Sequence, residues 1–181
     1  MTARHRYVLG VSGFSGSGKT TLIEKLVPRL VSAGLRVSLI KHAHHDFDID
    51  QPGKDSWRHR MAGCTEVLVS SARRWALMRE VRDEPEPGLE ALLHRLSPSD
   101  LVLVEGFKRA PMPRIEVHRR VGDRPLLYLD DPNVIAIATD EALDTGLPQF
   151  ALDDAEAIAE FVLKVAASPV TAGPRQPGGS T

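Results

Sequence analysis

The octet GFSGSGKT, Gly13 to Thr20, restricts what this chain can fold into more than any other feature. It fits the pattern G-x-x-x-x-G-K-[ST]. It follows the largely apolar run Tyr7–Ser12 and precedes apolar residues at helical spacing: Leu22, Ile23, Leu26, Val27, Leu30 and Val31. Buried strand, glycine loop, helix is the context in which this pattern binds phosphate. The glycines let the backbone curl until successive N–H groups point inward at phosphate oxygens, and the helix N-terminus adds its partial positive charge. The loop Gly13, Ser15, Gly16, Ser17 and Gly18 is expected to cradle nucleotide phosphates, Lys19 to reach the β- and γ-phosphates, and the Thr20 hydroxyl to meet Mg²⁺.

A loop of this kind needs a sheet behind it, and the rest of the chain supplies one. Arg36–Ile40 (RVSLI) reads as a second strand and Asp100–Phe107 (DLVLVEGF) as a buried strand ending in an acid. NVIAIATD is another buried run, and TEVLVSS and RWALMREV are successive strands. The alternating segments RIEVHR and PLLYL suggest further strands, either a dimer edge or a surface hairpin. Helical periodicity marks the stretch after the glycine loop, DSWRHRMAG with Trp57 and Met61 four apart, and PGLEALLHRLS. Gly34 is placed to end the first helix, and Pro28 inside it should kink it. Asp153 and Glu156 have capping-box spacing before a last amphipathic helix. Strands alternating with helices predict an α/β fold, P-loop NTPase-like and three-layered, with a mainly parallel sheet plus antiparallel edge strands.

With 181 residues, 42% of them hydrophobic, the chain can bury one core, and residues 1–167 are expected to form one nucleotide-binding domain. Residues 168–181, rich in Pro, Gly, Ser and Thr, are expected to be a disordered tail. A net charge of −1 gives no global field for nucleic acid or a membrane surface, so neither is an expected partner and any anion site must be local. One cysteine, Cys64, rules out an internal disulfide framework and is expected to be a small buried hydrophobe. No apolar run has the length of a signal-peptide core or a membrane span, which points to a cytoplasmic location.

Beyond the loop, Glu105 at the end of LVLVE is the natural second Mg²⁺ group, and Gly106 after it suits close approach to a ligand. Pairing of Glu105 with Lys108 or Arg109 at the surface is the competing reading. Asp140, after NVIAIAT, could accept hydrogen bonds from the N1–H and N2 amino group of guanine, or be a helix cap or turn residue. LIKHAHHDFDIDQPGKDSWR, Leu39 to Arg58, gathers histidines, aspartates and lysines after the second strand. His42 and His44 with Asp46 or Asp48 would suit zinc. A loop closing over phosphate and Mg²⁺, with Asp48 or Asp50 toward the metal, a second anion site, and a solvated face all remain open.

Taken in order, GFSGSGKTTLIEKLVPRL, VSLIKHAHHDFDIDQPGKDSWRHRMAG, LVLVEGFK and VIAIATD resemble the MobB family of molybdopterin-guanine dinucleotide biosynthesis proteins, up to about Ala167. The resemblance implies a GTP-binding adaptor with weak, Mg²⁺-dependent GTPase activity, usually dimeric. Such proteins assist attachment of GMP to molybdopterin by a separate MobA-like nucleotidyltransferase and associate with a molybdenum insertion protein. It adds Thr21 to the phosphate site, makes Glu105 and Gly106 the second nucleotide motif, and places His42, His45, Asp48, Asp50, Gly53, Lys54, Asp55 and Arg58 in a distinctive functional loop. Within that loop His42, His45, Asp48 and Lys54 are taken as ligand-binding, with Asp48 also a metal candidate. A P-loop small-molecule or nucleotide kinase, with Arg73, Arg74 and Arg79 available to a lid, is the competing activity. A non-catalytic carrier of molybdopterin or its guanine dinucleotide is the third reading.

Overall fold

Six strands form a sheet in the order β2-β5-β1-β6-β7-β8, every neighbouring pair parallel. In this computed structural model, which describes residues 5–43, 47–121 and 124–167, the strands are β1 (His5–Ser12), β2 (Val37–Lys41), β5 (Ser99–Glu105), β6 (Arg114–His118), β7 (Val134–Thr139) and β8 (Gln149–Ala151). The chain divides into two compact units, residues 43–91 and the remainder, the division falling close to the short helix α3 (Leu89–Leu93). The predicted tail, His44, His45 and Asp46 lie outside the described residues.

In the sheet-bearing unit, α1 (Lys19–Ser32) and α4 (Ala155–Ala167) lie on one sheet face. Alternate residues of the strands, Leu9, Val11, Leu101, Leu103, Ile115, Val117, Ala136 and Ala138, meet Leu22, Leu26, Leu30, Ile158 and Val162 in one buried core. Burial of each such side chain contributes about 1.5–3 kcal/mol. α1 passes through Pro28 as one helix. Proline removes the bond to the carbonyl of Glu24, but both residues sit on the exposed side, so water can take that carbonyl's place. The helix ends as expected at Gly34, with φ of 90° and the paired bonds Leu35 N–H to Leu30 O and Gly34 N–H to Val31 O of a Schellman turn. At α4 the cap is Asp154 rather than Asp153: its Oδ1 accepts the Ala157 N–H at 3.0 Å, which satisfies an otherwise orphaned donor.

RIEVHR is neither an edge strand nor part of a hairpin. It is β6, between β1 and β7, with all five residues buried, and PLLYL holds a 3₁₀ turn, η1 (Leu127–Leu129). The alternation that suggests a half-solvated strand instead sorts two buried faces. Ile115 and Val117 join the core. Arg114 donates to Lys108 O at 2.8 Å, to Ala110 O and to Ser12 Oγ, and pairs with Asp131 at 3.1 Å. Glu116 accepts the Leu127 and Tyr128 N–H groups at 2.8 and 2.9 Å, and His118 meets Glu141 at 3.1 Å. These buried polar side chains are bonded, and their bonds tie the surrounding loops to the sheet. Gly10 makes room for this arrangement, since a Cβ there would lie 2.9 Å from Arg114 Cβ and 3.1 Å from Met112 Cε.

Unit 43–91 contains α2 (Asp55–Met61) and an antiparallel ribbon of β3 (Glu66–Ser70) and β4 (Trp75–Arg79). The expected antiparallel strands therefore pair with each other as a separate sheet. None of the described residues in this unit is buried, and Leu68, Val69, Trp75 and Leu77 of the ribbon are exposed. Cys64 is exposed as well, contrary to expectation, because this unit has no interior for it. Ion pairs organise the unit. Arg60, its side chain 10% exposed, pairs with Asp48 at 2.6 Å, Asp50 at 3.3 Å and Glu80, which holds the guanidinium firmly charged. Arg79 bonds Glu84 and Glu66, so of the arginines proposed for a kinase lid it is already committed within its own unit.

Candidate nucleotide site

β1 ends at Ser12, the glycine loop occupies 13–18 and α1 begins at Lys19. Gly18, at φ of 102°, is the helix N-cap and provides no side-chain cap, so the first N–H groups of α1 are left for an anion. Gly13 is fixed by crowding: a Cβ there would meet the Val117 carbonyl oxygen and lie 2.6 Å from Ser17 Oγ. The Ser17 hydroxyl is buried with no hydrogen-bond partner among the described residues. Lys19 folds back along the loop, its ammonium donating to Phe14 O at 2.8 Å. Burial pulls the Lys19 pKa down, Glu105 opposes that, and Lys108, Lys41 and Arg124 add to it.

Glu105 is brought to the loop by the sheet. It continues the core-facing side of β5 beyond Leu101 and Leu103, and is 8% exposed. Thr20 Oγ1 donates to its Oε1 at 3.2 Å. Lys41, its register partner on β2, approaches Oε2 at 3.5 Å, so Glu105 pairs with neither of the surface cations expected to compete for it. A threonine hydroxyl and a carboxylate converging beside a phosphate cradle are hard oxygen donors. They fit Mg²⁺, which takes one or two such groups and fills its octahedron with phosphate oxygens and water. Thr20 and Glu105 are the residues that would hold it.

Gly106 and Phe107 then turn the chain sharply, both with positive φ, 105° and 49°. A Cβ on Gly106 would come within 2.6 Å of His42 Cβ, so glycine is required for the approach. The His42 N–H donates to Glu105 O at 2.8 Å, and its ring packs tilted against Phe107 with centroids 4.9 Å apart. Lys108 Nζ stands 5.1 Å over the Phe14 ring, and Arg124 donates to Ser15 O at 2.8 Å. The cradle is thus ringed by Lys19, Lys41, Lys108 and Arg124, a local cationic site on a nearly neutral chain.

Asp140 follows β7 and accepts the Arg120 N–H at 2.8 Å through Oδ1. It heads no helix. With Arg119, Thr139, Glu141, Gln149 and Phe150 it lines an open cavity of about 740 Å³. Asp48 and Lys54 belong to unit 43–91. The Asp48 carboxylate bonds the Asp50 N–H at 2.8 Å and Arg60 at 2.6 Å, and these bonds hold its pKa below the usual carboxylate value. Among the described residues no cluster of three or more His, Cys, Asp or Glu side chains is arranged to hold a metal.

The family model for molybdopterin guanine dinucleotide synthesis protein B, MobB, matches residues 8–140. The molybdopterin-guanine dinucleotide biosynthesis adapter protein of Escherichia coli K12 is 44% identical over 160 residues, covering 87% of this chain and 91% of that one. The chain belongs to the MobB family. The adapter protein of Haemophilus influenzae is 43% identical over 158 residues, covering 86% of each chain. A crystal structure of molybdopterin-guanine biosynthesis protein B superposes with a TM-score of 0.73 at 34% identity, covering 89% of this chain and 99% of that one. For this MobB chain, the motif residues Lys19, Thr20 and Glu105 were legible in sequence and meet in space. Arg124 was not singled out, because an isolated arginine in a loop carries no pattern; the only sequence trace of its placement is the Glu of RIEVHR.

Proposed function

We propose that this chain is a GTP-binding adapter in the biosynthesis of molybdopterin guanine dinucleotide, acting in the cytoplasm beside a nucleotidyltransferase and a molybdenum insertion protein. The adapter role rests on the names of its relatives in Escherichia coli and Haemophilus influenzae. Nucleotide binding rests on one observation above all: Lys19, Thr20 and Glu105 converge on a glycine loop at the N-terminus of α1. Lys19 neutralises phosphate charge. Thr20 and Glu105 would hold Mg²⁺, which would supply positive charge to offset that of the phosphates. Slow hydrolysis of GTP belongs to this reading, with positioning and charge stabilisation as its sources. Asp140 supports guanine over adenine, since a carboxylate accepts from the N1–H and amino group that guanine presents.

Two outcomes test the proposal. In a reconstituted reaction of purified transferase, molybdopterin and GTP, adding the chain should raise the yield of guanine dinucleotide. A Glu105→Gln chain should bind GTP without the tightening that Mg²⁺ gives the wild type. An unchanged yield would remove the adapter role, and an unchanged Mg²⁺ effect would remove Glu105 from the metal site.

A homodimer is part of the proposal. Unit 43–91 has no buried described residue and exposes Leu68, Val69, Trp75 and Leu77 on its two-stranded ribbon, and such ribbons are marginal without a covered apolar face. A second copy would cover them. Sedimentation should give twice the chain mass at micromolar concentration; a monomer there would count against it.

A further inference from the structure

Arg124 donates from Nη1 to the carbonyl of Ser15 at 2.8 Å. Ser15 adjoins Phe14, whose carbonyl receives the Lys19 ammonium at 2.8 Å. The lysine of such a loop serves the β- and γ-phosphates, so the Phe14–Ser15 edge is the terminal-phosphate end of the cradle. Arg124 brings a second, permanently charged group to that end. A guanidinium has five N–H donors, and among the described residues Arg124 uses one of them, on Ser15 O, which leaves an edge for a planar, forked contact with phosphate oxygens.

The placement is built into the sheet. Glu116 lies on the central strand β6 at 1% exposure, where an ionised carboxylate is costly unless well bonded. Its two oxygens accept the N–H groups of Leu127 and Tyr128, at 2.8 and 2.9 Å. Those bonds tether the chain to the sheet three residues beyond Arg124. Burial weakens proton binding at Lys19, Glu105 opposes that, and the charges of Lys108, Lys41 and Arg124 add to the weakening. An excess of cations converging on one cradle is stabilised when phosphate arrives.

We infer that Arg124 is a ligand of the nucleotide's terminal phosphate, held in place by Glu116, and that it makes the site prefer a triphosphate to a diphosphate. The inference rests on the nucleotide reading above and deepens it. Affinities for GTPγS and GDP, each with Mg²⁺, measured on the full chain, separate the two. Arg124→Ala should weaken GTPγS by about tenfold or more, the worth of a charge-assisted hydrogen bond, and GDP by less than about twofold. Arg124→Lys should recover part of the loss, because it restores charge without the fork. Glu116→Gln, which replaces one accepting oxygen with a donor, should lower the GTPγS to GDP preference in the same direction while retaining Arg124. Equal weakening of both ligands by Arg124→Ala would make the residue a support for the cradle and overturn the inference, as would no weakening of either. Wild-type protein that binds neither ligand would instead overturn the nucleotide reading on which the inference stands.

Discussion

Lys19→Ala is expected to abolish measurable nucleotide binding while leaving the protein folded. The ammonium sits against Phe14 O at 2.8 Å at the start of α1, where it can exchange that carbonyl for phosphate oxygens. Each hydrogen bond from a charged donor contributes about 1.5–3 kcal/mol, so losing two or more weakens binding by at least about a hundredfold. No core packing is lost, because Lys19 lies outside the cluster formed by Leu22, Ile23, Leu26 and Leu30. Titration calorimetry with GTP, alongside thermal melts within a few degrees of wild type, checks both halves. Wild-type affinity in a folded variant would remove Lys19 from the site.

Gly13→Ala should damage the fold itself. The added Cβ would meet the Val117 carbonyl and sit 2.6 Å from Ser17 Oγ, at a φ of 155° that disfavours side chains. Val117 is on β6, paired with Ala138 of β7 and directly following Glu116, which pairs with Ser12 of β1, so its backbone cannot withdraw without distorting the sheet. A destabilisation of about 3 kcal/mol or more is expected, at the upper end for overpacked sites. Gly16→Ala is the contrast: its φ of 76° carries strain of about 1–2 kcal/mol, but nothing lies within 4 Å of the new methyl. Denaturant midpoints should therefore separate the two variants clearly, and similar midpoints would mean that the Val117 contact relaxes freely.

These contrasts show why the cradle was legible and its supports were not. A phosphate loop needs glycines, a lysine and a hydroxyl at fixed spacing, so Gly13 to Thr20 declares itself in any chain that places it between strand and helix. Glu105 was also readable, because an acid closing a run of buried valines and leucines has few other uses. The parallel sheet followed from alternating apolar runs. β6 was misread because alternation of charged and apolar residues is the ordinary mark of a strand with one wet face. Here three loops fold over the charged face and bond Arg114, Glu116 and His118 in turn, and those partners are up to 23 residues away in sequence. Cys64 was misread because a lone cysteine is usually a small buried hydrophobe, whereas this one lies in a unit with no buried described residue. The capping residue of α4 differed by a single position, within the usual uncertainty of a helix end.

The claim at the centre of this account is that the glycine loop binds a guanine nucleotide with Mg²⁺ held by Thr20 and Glu105. Calorimetric titration of the wild-type chain with GTP and with ATP, each with and without Mg²⁺, tests it most directly. The account predicts saturable binding of one GTP per chain, tighter with Mg²⁺ than without, and weaker binding of ATP. No binding of either nucleotide, or GTP binding indifferent to Mg²⁺, would contradict it.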